Sequence, residues 1–161
     1  MILKNSSVLY LSDFDGTLCG DSKWYSLIKN TVNCIKKGPY LNLTDYDIRW
    51  SILTGRPKID KWIIRLICIY HGLIPEKIFT SPGWKYNYKN DTQNHLDKLK
   101  TMFDIMDGVI KLNGKETISR IFYIDNDIEC VKFINSNRKN YRILAVSVTD
   151  FYKQEFLSIL I

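Results

Sequence analysis

The chain has 161 residues, of which 45% are hydrophobic and 25% charged. This composition is typical of a soluble globular protein with one sizeable core, and no apolar window approaches the length of a membrane span. The formal net charge of +6 favours an anionic partner such as nucleic acid, and lysines that only solvate the surface explain it equally well. Four cysteines without metal-ligand spacing and a start that lacks the apolar stretch of a signal peptide predict a soluble, cytoplasmic protein. No feature of the sequence indicates an oligomeric state.

Strand-like and helix-like segments alternate along the chain. Apolar runs of strand length occupy 8–11, 48–53, 77–80, 121–124 and 143–148. Apolar residues recur at helical spacing within 22–35, 59–70, 92–106, 128–134 and 151–160. This order predicts an α/β fold whose central, mainly parallel five-stranded sheet has helices on both faces. No repeat or linker interrupts it, so we expect one domain over residues 1–161.

Polar residues follow three of the apolar runs at the point where each predicted strand ends. Asp13 and Asp15 follow the first strand, Thr54 and Arg56 the second, and Asp125 the fourth. In a parallel sheet the carboxyl ends of the strands meet at one edge, where ligands bind. The sequence therefore predicts a site at this edge.

The segment 13–17, Asp-Phe-Asp-Gly-Thr, carries two carboxylates two residues apart. Paired bare carboxylates repel, so a divalent cation is needed to hold them together, and oxygen ligands are what Mg²⁺ prefers. Gly16 allows the sharp turn that this placement requires. The alternative is a solvated acidic turn, because Asp and Gly are common turn residues.

Three motifs resemble those of the haloacid dehalogenase (HAD) superfamily of phosphohydrolases. Residues 11–18 resemble its motif I, residues 52–56 its motif II and residues 122–125 its motif IV. They occur in the superfamily's order, and the resemblance covers most of the chain. It implies a three-layer Rossmann-like fold.

The resemblance also implies a mechanism that transfers residue by residue. Asp13 is expected to attack phosphorus and form an aspartyl-phosphate, and Asp15 to act as the acid and then the base. Magnesium would be held by the Asp13 carboxylate, the Asp15 backbone carbonyl and Asp125. Thr54 would donate a hydrogen bond to a phosphoryl oxygen. Its alternative role is to satisfy the backbone at a strand end.

Two positions of the pattern stay open in the sequence. The motif III lysine is Lys85, Lys89 or Lys98. Lys98 is favoured because Met102 and Ile105 follow it at helical spacing, which resembles the superfamily's helix, and the alternative for each is a solvated surface charge. The residues that could join Asp125 at the metal are Asn126, Asp127 and Glu129. His71 and His95 lack partners at ligand spacing and are interpreted as structural.

The substrate class follows from what the chain lacks and from motif II. In the superfamily that the motifs resemble, large cap insertions enclose small substrates. This chain has only a short insert, about 19–40, so the site is expected to be open to macromolecules. Gly55 and Arg56 after Thr54 resemble the polynucleotide phosphatase and RNA-repair-like branches, where Arg56 would bind a substrate phosphate. Alternatively, Arg56 pairs with an acid at the rim of the site.

Residues 81–89 add a second indication, because aromatic residues alternate with lysines there and could bind a single strand. An aromatic loop packed on the core is equally compatible with this segment. We thus expect a phosphatase for nucleic-acid 3′-phosphate ends. The alternatives are a phosphatase for phosphoproteins or small phosphate esters, and a catalytically vestigial binding module.

Overall fold

The computed structural model describes residues 6–18, 49–82, 91–113 and 117–152. The strands are β1 (Ser6–Ser12), β2 (Arg49–Leu53), β3 (Ile78–Phe79), β4 (Thr117–Asp125) and β5 (Ile143–Ser147). The helices are α1 (Lys61–Tyr70), α2 (Asp91–Met106), α3 (Ile128–Asn137) and the short α4 (Val148–Tyr152), and a 3₁₀ turn (Lys58–Asp60) precedes α1. None of the described helices combines the length and hydrophobicity needed to cross a membrane.

The five described strands form one parallel sheet in the order β3-β2-β1-β4-β5. β1 is central, and its Leu11 lies opposite Ser51 of β2 and Tyr123 of β4. The chain first builds outward from β1 to β3 and then crosses to the other side of β1. The order therefore reverses between β1 and β4, and crevices for ligands form at such a reversal.

Each face of the sheet packs against helices. Alternate residues of a strand point to opposite faces, so Tyr10 packs on the side of α1 whereas Leu9 and Leu11 pack on the side of α2 and α3. The helical residues Ile64, Ile67 and Cys68 belong to the first core, and Leu99, Met102, Ile105, Cys130 and Ile134 belong to the second. The three layers confirm the predicted α/β fold.

The observed boundaries differ from the predicted ones where capping or pairing decides them. β4 begins at Thr117, ahead of the predicted 121, because it pairs along the whole of β1. Asp127 caps α3, its Oδ1 accepting from the backbone N–H groups of Glu129 at 3.0 Å and Cys130 at 3.3 Å. β5 ends at Ser147 and α4 begins at Val148, earlier than the predicted closing helix. The predicted helix 22–35, the insert 19–40 and most of the segment 81–89 lie outside the described residues.

Candidate active site

Asp13 and Asp125 stand side by side where β1 and β4 end. Asp13 is 7% exposed and Asp125 is fully buried. The backbone N–H of Asp13 donates to the carbonyl of Ile124 at 2.9 Å, which continues the β1–β4 pairing past the end of the strand. The sheet itself therefore brings these two predicted site residues together.

Lys98 lies between the two carboxylates. Its Nζ is 3.3 Å from Asp13 Oδ1 and 3.0 Å from Asp125 Oδ2, and the residue is 5% exposed. The residue shares the buried face of α2 with Met102 and Ile105, and this face carries the ammonium to the sheet edge. Burial lowers the pKa of Lys98, but Asp13 and Asp125 raise it by more, so the side chain stays protonated. Lys85 and Lys89, the other motif III candidates, lie outside the described residues.

The environment of Asp13 disfavours its charge. Burial raises the pKa of the Asp13 carboxyl, Lys98 lowers it, and the neighbouring Asp125 and Asp15 raise it again. The net pKa lies well above the ordinary value for aspartate. Lys98 does not neutralise both Asp13 and Asp125, and Arg56 pairs with Asp15 and Asp60, so the site is suited to a further cation.

Tyr123 also contacts Asp125, and sequence reasoning missed it. Its hydroxyl donates to Asp125 Oδ2, the oxygen that Lys98 contacts, while Oδ1 of Asp125 accepts from the backbone N–H of Asp127 at 2.9 Å. Burial raises the pKa of the Tyr123 phenol well above its ordinary value. The signal was present in the spacing, because residues two apart on a strand share a face.

Arg56 binds Asp15 through two of its nitrogens. Nε is 2.8 Å from Asp15 Oδ2 and Nη2 is 2.8 Å from Asp15 Oδ1, while Nη1 lies 2.9 Å from Asp60 Oδ2. Burial lowers the pKa of Arg56, and the hydrogen bonds and charges of Asp15 and Asp60 raise it by more. Of the two roles considered for Arg56, the structure contains the pairing with acids at the rim of the site. Asp60 was missed, although its position four residues after Arg56 is a spacing that places charges together at a helical turn.

Thr54 and Gly55 hold the chain that carries Arg56. Thr54 is 2% exposed, and its hydroxyl accepts from the backbone N–H of Arg56 at 3.2 Å, which is the backbone role considered for it above. A Cβ on Gly55 would lie 2.7 Å from Asn94 Oδ1, so glycine permits the first turn of α2 to approach. Asn94 Oδ1 is buried with no hydrogen-bond partner among the described residues.

Asn126 marks the point where the expected metal ligands converge. In the amide orientation that satisfies its neighbours, its nitrogen donates to the Asp15 carbonyl oxygen at 2.9 Å and to Asp125 Oδ1 at 3.2 Å. A donor that bridges two acceptor oxygens occupies a position where a cation would also be stabilised. Within the described residues, no three His, Cys, Asp or Glu side chains cluster as a metal site. The magnesium site implied by the motif resemblance uses only two carboxylates, those of Asp13 and Asp125, together with the Asp15 backbone carbonyl.

The remaining candidates from the sequence have other partners. Asp127 Oδ2 lies 3.0 Å from His95 Nε2, and Oδ1 caps α3. Burial raises the pKa of Asp127, but the contact with His95 and the capping bonds outweigh it and the net pKa is lowered. Glu129 pairs with Lys132 at 3.3 Å in an exposed position. The structural role predicted for His95 agrees with its contact to the helix cap.

These side chains surround a cleft of about 520 Å³. Its described lining consists of Asp13, Asp15, Gly55, Arg56, Pro57, Asp60, Asn94 and Lys98. Comparisons with models of protein families and with curated proteins found no match. Function is therefore inferred from the cleft, its charges and the motif resemblance.

Proposed function

We propose that this chain is a Mg²⁺-dependent phosphatase that acts through an aspartyl-phosphate on Asp13. The observation that carries the proposal is the ion-pair cluster in which Lys98 Nζ contacts both Asp13 and Asp125 at the floor of the cleft. Burying two acids and a lysine is costly unless they pair, and even then it rarely adds stability. Ionisable groups with perturbed pKa values in a cleft are typical of catalytic sites.

In the first half of the reaction a carboxylate oxygen of Asp13 attacks phosphorus. A new bond forms between that oxygen and phosphorus while the bond between phosphorus and the leaving oxygen breaks. Asp15 gives its proton to the leaving oxygen. Lys98 orients the Asp13 carboxylate, and Arg56 orients the carboxyl group of Asp15 through its two contacts.

In the second half Asp15 takes a proton from a water molecule that attacks the phosphorus of the aspartyl-phosphate. The bond between phosphorus and the Asp13 oxygen breaks, and inorganic phosphate and the free carboxylate are released. Asp15 then carries the proton needed for the next turnover. The sequence of steps consumes one water and needs no other reactant.

The oxygens of Asp13, Asp125 and the Asp15 backbone carbonyl suit a magnesium ion. All three are the hard oxygen ligands that this ion prefers, and two of them already converge on a single donor nitrogen of Asn126. When bound, the ion supplies positive charge that offsets the charge of the phosphoryl oxygens. Lys98 balances the same carboxylates from the side of α2.

For the substrate we propose a macromolecular phosphate, in the first place the 3′-phosphate end of a nucleic acid. The net charge of +6 favours an anionic polymer. Arg56 lines the wall of the cleft, but its guanidinium pairs with Asp15 and Asp60, so it serves as a positioning residue for Asp15 and not as the phosphate ligand. As the location we propose the cytoplasm, because Cys68 and Cys130 are buried free thiols.

The test is phosphate release from three substrates, each with and without Mg²⁺: a 3′-phosphorylated oligonucleotide, a phosphopeptide and an aryl phosphate. We expect turnover of the oligonucleotide that depends on Mg²⁺ and is lost in Asp13→Asn. Glu129→Gln is the matched control, since it removes an exposed acid on α3 that pairs only with Lys132 among the contacts described.

Each outcome separates one candidate function from the others. Turnover of the aryl ester and the peptide but not of the oligonucleotide refutes the substrate and keeps the chemistry. No turnover of any substrate refutes the phosphatase and leaves the vestigial binding module. Wild-type rates in Asp13→Asn exclude the covalent mechanism.

A further inference from the structure

The outward face of α1 carries large apolar side chains that the described residues leave exposed. Trp62, Leu66 and Ile69 recur at helical spacing and are 55%, 53% and 57% exposed. Ile64 and Ile67 face the sheet instead. A helix that covers a sheet ordinarily presents polar residues on its outer side. An exposed apolar surface of this kind indicates a site of interaction.

Positive charge surrounds this surface at the start of α1. A groove of about 390 Å³, called here the α1 groove, is lined by Lys58, Ile59, Lys61, Trp62 and Arg65. Every charged side chain in this described lining is cationic. An indole ring flanked by cations can stack on a base while the cations contact the neighbouring phosphates.

The α1 groove and the catalytic cleft are lined by neighbouring residues of the same turn. Pro57 and Asp60 line the cleft, and the two residues between them line the groove. The ion pair between Arg56 Nη1 and Asp60 Oδ2, 2.9 Å long, attaches the 3₁₀ turn to the site. A polymer whose terminal phosphate lies at Asp13 can therefore continue over this turn into the groove.

We propose that the α1 groove binds the single-stranded nucleic acid that leads away from the terminal phosphate. One base stacks on Trp62, and the flanking phosphates contact Lys61 and Arg65. The identity of the phosphate end rests on the proposed function, whereas the groove itself concerns binding alone. An acidic peptide could pair with the cations, but a nucleic acid presents a stackable ring beside every phosphate, which matches an indole flanked by cations. A second copy of this chain would bring like charges together.

Fluorescence anisotropy of a labelled, unphosphorylated oligothymidine binding to the full chain tests the stacking contact. Trp62→Leu keeps an apolar side chain and removes the ring, and we expect binding to weaken about 5- to 100-fold. Leu96→Ala is the control, because it removes exposed apolar surface from α2 on the other side of the sheet, and we expect less than about a twofold change.

The salt dependence tests the phosphate contacts. The slope of log affinity against log salt concentration is negative. In the double variant Lys61→Gln/Arg65→Gln it should become shallower by about 1.4, which is about 0.7 for each lost contact. The control double variant Lys100→Gln/Lys132→Gln removes two exposed charges from α2 and α3 on the other side of the sheet. Its slope should stay at the wild-type value.

Several results would overturn the groove while leaving the phosphatase standing. One is wild-type affinity for oligothymidine in Trp62→Leu, and another is an unchanged salt slope in Lys61→Gln/Arg65→Gln. A third is a dimer in sedimentation that Trp62→Leu dissociates while the affinity for oligothymidine stays the same. If an acidic peptide displaces the oligothymidine completely and Trp62→Leu still binds with wild-type affinity, the groove is a peptide site and the nucleic-acid proposal is wrong. Turnover of an aryl phosphate is the separate readout, and the groove variants should retain it. If the wild type has no such turnover but the groove variants weaken oligothymidine binding as expected, the proposed function is wrong and the groove proposal stands.

Discussion

Replacement of Lys98 by methionine tests the cluster on which the functional argument depends. Lys98→Met keeps the length of the side chain and removes an ammonium that lies 3.3 Å from Asp13 Oδ1 and 3.0 Å from Asp125 Oδ2. With an effective dielectric constant of about 20, each contact corresponds to an attraction of about 5 kcal/mol. The cost of burying the charges offsets much of this. Breaking a buried pair by removing one partner leaves a net loss of about 3–5 kcal/mol.

The loss should depend on pH in a defined direction. The pKa of Asp13 already lies above its ordinary value because of burial, and Lys98 is the group that lowers it. Without Lys98 this pKa rises further, so the folded variant keeps a proton that the unfolded chain has already lost, and stability falls as the pH rises from the unfolded pKa toward the raised folded pKa. As the pH falls, Asp13 takes up a proton and the penalty decreases. The deficit in the free energy of unfolding is therefore greatest near pH 7.5 and smaller at pH 5.

Urea denaturation at both pH values, in the presence of EDTA, measures this deficit without a divalent cation to replace the lysine charge. Lys100→Met is the matched control, since Lys100 is an exposed residue on the same helix and its change should stay within about 0.5 kcal/mol. With Mg²⁺ present, phosphate release by Lys98→Met should fall about 10²–10³-fold. A Lys98→Met protein as stable and as active as the Lys100→Met control would refute the reasoning.

Three further predictions concern single positions of the described structure. Asp13→Asn removes a carboxyl whose pKa burial raises, and Lys98 keeps Asp125 as its partner, so no buried charge is left unpaired. Its thermal unfolding should therefore occur at an equal or higher temperature, and turnover should fall at least ~10⁴-fold; a clear loss of stability would contradict the first of these expectations. Gly16 and Gly72 both have φ +73°, but a Cβ on Gly16 would lie 2.3 Å from Asn126 whereas one on Gly72 meets nothing within 4 Å. Gly72→Ala should therefore lose about 1 kcal/mol and Gly16→Ala about 2 kcal/mol or more by urea denaturation, and equal losses would mean that Asn126 moves aside freely. Burial raises the pKa of the Cys68 thiol to about 12, so iodoacetamide at pH 8 should modify it at least ~100-fold more slowly in the folded than in the unfolded chain; peptide mapping that finds equal rates would show that Cys68 is accessible.

The order of elements and the acidic core of the site could be predicted from the sequence. Asp13 and Asp125 each end an apolar run, and parallel strands bring such ends together whatever the loops between them do. The placement of Lys98 followed from helical periodicity, because Met102 and Ile105 define the face of α2 that meets the sheet. Both inferences use local patterns that tertiary packing leaves intact.

Which partner each polar group takes depends on the tertiary fold. Arg56 binds Asp15 across 41 residues of chain, and no local spacing distinguishes this contact from a free phosphate-binding arginine. The hydroxyl of Thr54 accepts from a backbone N–H, and Asp127 contacts His95 while it caps a helix. Such choices depend on distances between elements that are far apart in sequence.

The same reason explains why the Asp13/Asp125 pair could be predicted from the sequence and the α1 groove could not. The carboxylates are placed by strand ends, which alternating hydrophobicity predicts, so the chemistry of the site was visible in the sequence. Trp62 lies on the helical spacing of the apolar residues in 59–70, which is also the spacing of core residues. Its exposure follows from the orientation of α1 on the sheet, where Ile64 and Ile67 face inward. α1 is apolar on two faces, so its period of 3.6 residues does not choose between them, and packing determines which face meets the sheet.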